Sequence, residues 1–152
     1  MAVPLFGGQR LPVAFTNFVP DEDPTFLSGA DAALAAFLAK GPAERGSATA
    51  PVYANCLEML DASDMEPLDV PTPGAIWGHV FPRQVFLERR HRRDRAVSLT
   101  VACKCVWEEE YALELVYRRG EKLTRVSPQD GHLTEADAYD LDDTEAPLLP
   151  AF

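Results

Sequence analysis

From Val97 to Trp107 apolar and polar positions alternate with a period of two. Val97, Leu99, Val101, Cys103, Cys105 and Trp107 share one face; Ser98, Thr100, Lys104 and Glu108 share the other, with Ala102 and Val106 intruding. Successive side chains of a strand point to opposite sides, so the pattern predicts a strand with one buried face. Leu113, Leu115 and Tyr117 repeat the alternation against Glu114 and Arg118, and Gly120 marks a tight turn into Leu123–Val126. Upstream, Ile76-Trp77 with Val80-Phe81 predict one short strand segment and Gln84–Glu88 another.

Before residue 63 the rhythm differs. The runs AVPLF (2–6) and LPVAF (11–15) flank Gly7-Gly8-Gln9-Arg10 and predict a hairpin near a sheet edge, because proline in both runs argues against a central position. Asp23-Pro24 predicts a helix start, an Asp N-cap followed by Pro at the first helical position, and Gly41-Pro42 ends that helix. A second helix is predicted from Pro51 to Ala62, with Val52, Cys56, Met59 and Leu60 on one stripe. Residues 63–74 form a proline-rich connector. The fold class expected is α+β: an N-terminal hairpin and two helices packed on a C-terminal antiparallel meander sheet. One domain is expected over residues 1–140, followed by an acidic tail over 141–152.

Charge sharpens this picture. The 152 residues carry a net charge of −10. Residues 1–82 hold three basic and ten acidic groups, residues 83–125 eleven basic and seven acidic, and residues 126–152 seven acidic and no Lys or Arg. A basic middle between acidic ends is either self-complementary within one fold or a charged surface for a partner. So acidic a chain repels nucleic acid as a whole. The N-terminus lacks a basic leader, no window approaches a membrane span, and three cysteines lack a disulfide framework. A cytoplasmic protein without membrane attachment is expected.

The densest chemistry lies in Cys103–Tyr117, where two thiols and four carboxylates meet. Cys103 and Cys105 continue the apolar face and are expected in the core. No C-x-x-C or H-x-x-x-H pair accompanies them, so neither a metal nor another cofactor is expected. Glu108 and Glu110 are candidate acid–base groups if they share a face in a cleft; otherwise Glu108–Glu110 form a solvated bend between strands 97–107 and 113–118. Asp130 and His132, in the turn Ser127–His132, complete the set of candidate catalytic residues. The run Glu88–Arg95 contains five arginines in eight residues and reads as a hairpin loop. Its Arg89, Arg90, Arg92 and Arg93, with Glu108 and Glu110, are the candidate partner-binding residues.

The segment Cys105–Gly120 followed by Val126–His132 resembles a widespread family of uncharacterised bacterial proteins with a core close to W-E-x-E-H-G-L, then a hydrophobic strand, a Gly turn and a D-G motif. Trp107, Glu108, Glu110, Leu113, Gly120, Asp130 and Gly131 match it, and Ile76-Trp77 with Val80 and Pro82 look like a weaker upstream element. The family's His-Gly is Tyr111-Ala112 here. The resemblance implies no activity, substrate or cofactor; proteins of this style often sit in toxin-neighbourhood loci, which by analogy suggests an immunity-type binding role. The leading expectation is a domain of unknown function that binds a protein partner. The other is a hydrolase-like enzyme using Glu108, Glu110, Asp130 and His132, with or without a metal.

Overall fold

The computed structural model describes residues 1–143. The chain is α+β, as its patterning predicts. A two-stranded hairpin, β1 (Ala2–Val3) with β2 (Gln9–Arg10), precedes the edge strand β3 (Val13–Thr16). Helices α1 (Phe26–Leu38) and α2 (Arg45–Ala62) follow, then the meander β4 (Val80–Arg89), β5 (Val97–Cys105), β6 (Glu108–Arg118) and β7 (Lys122–Pro128). The main sheet runs β3-β4-β5-β6-β7, all antiparallel except β3, which lies parallel to β4. The LPVAF run therefore joins the main sheet and does not pair with AVPLF; the hairpin is the shorter one around Gly7-Gly8.

Both helices lie on one face of the sheet. Val85, Leu87, Leu99, Val101, Cys103, Leu113, Leu115 and Tyr117 meet Phe26, Ala30, Ala33 and Phe37 of α1, with Val52 and Cys56 of α2, in one continuous core. The α1 residues recur at spacings of four, three and four, the stripe a 3.6-residue helix turns toward one side. Helix α1 starts at Phe26, not at Asp23-Pro24, because the Asp23 carboxylate is engaged by the Arg89 guanidinium instead of capping the helix. Helix α2 begins at Arg45, so Pro51 lies inside it. That proline removes the N–H that would bond the carbonyl of Ser47. Two indoles hold the helix on either side of the defect: Trp77 donates to Thr49 Oγ1 and Trp107 to Asn55 Oδ1, each at 2.9 Å.

Three expectations in the meander need correction. Ile76-Trp77 sits in a 3₁₀ turn over Pro73–His79, where Pro73, Gly74 and Gly78 favour turn over strand. Strand β4 is continuous from Val80 to Arg89, accommodating Pro82 by a bulge beside Gln84. The bend between β5 and β6 is Val106-Trp107, since Cys105 pairs with Glu108; the three glutamates belong to β6. Cys103 then pairs with Leu113, leaving Lys104 opposite the intervening segment as a wide bulge. The Glu108 carboxylate knits that bulge by accepting the backbone N–H groups of Glu110 (2.9 Å) and Tyr111 (3.0 Å). Ala112 follows with φ +60°.

The second face of the sheet is also covered. After β7 the chain turns at Asp130-Gly131 and lays Leu133, Thr134 and the one-turn helix α3 (Glu135–Tyr139) against it. Ser98, Thr100, Glu114, Thr124, Arg125 and Ser127 are consequently buried. A period-two pattern with polar residues on one side ordinarily signals a solvated face, and here it does not. Thr124 donates to the carbonyl of Leu133 at 2.9 Å, and Thr134 caps α3 by accepting from the Asp137 N–H at 3.0 Å. Of the expected tail 141–152, Asp143 is docked on Arg90, while residues 144–152 lie outside the described part.

Candidate functional site

The arginine run is the hairpin loop between β4 and β5, and four of its five arginines are met by carboxylates from within the chain. Arg89 pairs with Asp23 and also donates to Thr25 Oγ1 at 3.0 Å and the carbonyl of Arg95 at 2.7 Å. Arg90, only 3% exposed, hydrogen-bonds two carboxylates and lies 3.5 Å from a third, Asp94. Its Nε and Nη2 reach Asp137 at 2.8 Å, and Nη1 and Nη2 reach Asp143 at 3.0 and 2.7 Å. Arg93 also pairs with Asp143, Arg92 with Asp140 at 3.1 Å, and Arg118 with Asp94 at 2.7 Å. Hydrogen bonds from Arg90, joined by Arg93, hold the Asp143 carboxyl down to about 2 against a smaller cost of burial. These forked guanidinium–carboxylate contacts are the strong class of hydrogen bond, and several are withdrawn from water.

On β7 Arg125 forms a second centre. It is buried, and its Nη2 lies 2.6 Å from Asp130, its Nη1 3.0 Å from Glu135 and its Nε 3.0 Å from Ser127 Oγ. The single Ser127 hydroxyl proton has two acceptors within reach, the Pro128 carbonyl at 2.8 Å and Glu114 at 3.4 Å. Glu114 is 4% exposed and sits on β6 facing the second side of the sheet. Burial pushes its carboxyl up to about 7; the neighbouring Asp130 adds to the rise and Arg125 partly offsets it.

Between these two centres lies a cleft of about 310 Å³ on the second face. Phe86, Glu88, Thr100 and Glu114 come from the sheet, Thr16 and Asn17 from the end of β3, and Gln129, Gly131, His132 and Leu133 from the turn after β7. Asn17 donates to Glu88 at 2.7 Å. A second depression of about 260 Å³ adjoins it through the shared Glu88, Gly131, His132 and Leu133, and runs toward Arg89, Arg90, Arg92 and Asp137.

The structure brings His132 of the sequence candidates to this cleft. Asp130 is placed next to it, accepting from the His132 backbone N–H at 3.0 Å and holding Arg125. Glu108 and Glu110 are not part of the cleft lining: Glu108 caps the bulge and Glu110 is exposed. Glu88, Thr100 and Glu114 were not singled out by sequence reasoning. Their signal was present in the even positions of the strands, but those positions read as solvated until something is known to cover them. Cys103 and Cys105 are in the core as expected, and burial raises both thiols, Cys105 to about 11. No group of three or more His, Cys, Asp or Glu among the described residues is arranged to hold a metal ion, and no described helix is long and apolar enough to cross a membrane.

Comparison with known proteins places the chain in a family. A domain of unknown function, DUF6985, matches residues 1–133, and the chain belongs to that family. The match includes the hairpin, both helices, the whole sheet and the turn carrying His132, and it stops before α3. No curated protein and no solved structure matches the chain.

Proposed function

We propose that this DUF6985 chain is a binding protein of immunity type, acting in the cytoplasm by protein–protein interaction on a basic partner and not on nucleic acid. The observation that carries this reading is the internal neutralisation of the arginines. Arg89, Arg90, Arg92, Arg93, Arg118 and Arg125 all pair with carboxylates of their own chain. The loop that looked like a basic contact surface is thereby spent on the fold, and the net charge of −10 falls on the remaining surface. Glu58, Asp61, Asp64, Glu66 and Asp69 are exposed along the end of α2 and the connector after it, with Leu57 and Met65 exposed among them. A surface of this kind steers a basic partner toward it and repels a polyanion. The exposed Glu110 adds a further acidic contact.

The reading is tested by affinity capture from the cells of origin, followed by titration of the purified partner at about 50 and about 300 mM salt, where screening differs severalfold. The expected result is a basic protein whose association slows at the higher salt and on changing Asp61, Asp64 and Glu66 to their amides. A partner whose binding ignores both changes, or sub-micromolar binding of DNA or RNA at physiological salt, overturns it.

A further inference from the structure

We propose that the second face of the sheet is a docking site for an acidic peptide segment, and that residues 133–143 are its resident occupant, a strap of the same chain that an acidic segment of a partner displaces. This goes beyond the basic-partner reading, which uses the acidic surface at the end of α2. The stretch from Leu133 to Asp143 carries five acidic residues and no Lys or Arg. Four of the five meet arginines of the face. Glu135 lies 3.0 Å from Arg125 of β7, Asp137 2.8 Å from Arg90 just past β4, Asp140 3.1 Å from Arg92 and Asp143 2.7 Å from Arg90. Asp143 also pairs with Arg93. Between these acids Ala136 is fully buried, and Thr124 of β7 holds the Leu133 carbonyl at 2.9 Å. Acids at 135, 137, 140 and 143 around a buried small residue form a pattern that forked guanidiniums read, the strong class of hydrogen bond.

The segment has the marks of an occupant and not of a core layer. The family match ends at residue 133, with every strand and both long helices already included. Leu133 and Ala136 are the only buried apolar residues of 133–143, and Tyr139 and Leu141 are exposed. Beneath it lie Ser98, Thr100, Thr124 and Ser127, hydroxyls that water serves as well as a covering segment does. The fit is also incomplete. Depressions of about 260 and 310 Å³ open beside Leu133, and the buried Arg125 Nη1 makes no hydrogen bond although Glu135 stands 3.0 Å away. Charge therefore holds the strap more than apolar area does. Without it, among the described residues, Arg90 keeps only Asp94, at 3.5 Å, and Arg92 and Arg93 keep no carboxylate. Arginines left so short of partners would take an acidic segment from another chain.

The test uses the full chain and a synthetic peptide of residues 133–143, LTEADAYDLDD, beside the same peptide with its acids replaced by amides. The double variant Asp137→Asn, Asp143→Asn weakens the chain's own strap. By NMR it should bind the acidic peptide saturably, with shifts at the Arg90, Thr124 and Arg125 amides. The amide peptide should be at least about tenfold weaker, since a hydrogen bond to a charged group is worth about that factor. The native chain should also be at least about tenfold weaker, because its tethered strap competes at an effective concentration of about millimolar. Equal binding of the two peptides, equal affinity of native chain and variant, or shifts away from these residues overturns the site. Native-state hydrogen exchange decides the same question should the variant fail to fold. Amides of 133–143 should exchange at least about tenfold faster than those of β5 and β6, and faster at about 300 than at about 50 mM salt. Exchange at the rate of the sheet overturns the strap as a removable occupant. The two readings fail separately: a basic partner captured on the acidic connector, with no peptide bound here, keeps the first and ends the second.

Discussion

The backbone of Gly120, in the β6–β7 turn, lies against the Ala33 carbonyl of α1 so closely that a Cβ at residue 120 would stand 1.9 Å from that oxygen. Gly120 also has φ +72°, in the left-handed region. The turn and the helix are thus fastened by the absence of a side chain. Gly120→Ala should destabilise the protein by at least about 3 kcal/mol, combining the left-handed penalty with a clash against helix backbone that has no rotamer to escape into. Urea unfolding checks this, and a loss under about 1 kcal/mol would mean that α1 moves freely on the sheet.

Ala112 offers the opposite experiment. It holds φ +60° within the β6 bulge, a conformation glycine adopts without penalty. Ala112→Gly should therefore stabilise the fold by up to about 1 kcal/mol, the left-handed strain being partly offset by the greater freedom of unfolded glycine. A lower urea midpoint in the variant would contradict it.

Trp107 is 2% exposed although it sits in a two-residue turn, and its indole N–H bonds the buried Asn55. Trp107→Ala should cost about 3–5 kcal/mol as a large core truncation. Asn55→Leu is the sharper probe: it keeps the bulk of the side chain and leaves a buried indole N–H without an acceptor, a loss of about 1–3 kcal/mol. Fluorescence-monitored unfolding reads both variants.

Arg90 ties α3 and Asp143 to β4. Arg90→Met should leave the Asp137 and Asp143 carboxylates without their guanidinium and cost about 3–5 kcal/mol. Residues 133–143 should become the first segment to exchange amide hydrogens, while β5 and β6 stay protected. Uniform loss of protection would show instead that the second layer and the sheet unfold as one unit.

The pH profile isolates Glu114. Its carboxyl stands at about 7 in the fold against 4.5 for the free side chain. Between those values the unfolded chain ionises while the folded chain keeps its proton, so this group makes stability fall as pH rises, by up to about 3 kcal/mol, with no further change above about pH 7. Glu114→Gln should remove that slope and be more stable than the native chain at pH 8, with the difference vanishing near pH 4. Asp143, held down to about 2, acts in the other sense: its contribution is present above about pH 4 and is lost as pH falls toward 2. Thermal melts from pH 3 to pH 9 separate the two. An increase of stability between pH 5 and 7 that depends on Glu114 would contradict its burial.

Much of this architecture is determined by sequence alone, and the reason is local. Strand period is a property of consecutive residues, so Val97–Cys105 and Leu113–Tyr117 announce their buried face, and with it the burial of Cys103 and Cys105. The two helices, the meander and the arginine hairpin loop follow from periodicity and turn residues in the same way. Tertiary structure decided the rest. Whether Thr100 and Glu114 meet water depends on residues 133–143 folding back over the sheet, and that return is held by Arg90 reaching Asp137 and Asp143 far along the chain and by Arg125 reaching the nearer Glu135. Distant pairings likewise determine that Arg89, Arg90, Arg92 and Arg93 of the arginine run form an internal clamp. Charge runs and alternating polar positions record which groups exist; only the fold decides which of them face each other, because the Asp23, Thr134, Asp137 and Asp143 partners of Arg89 and Arg90 lie 44 residues or more away along the chain.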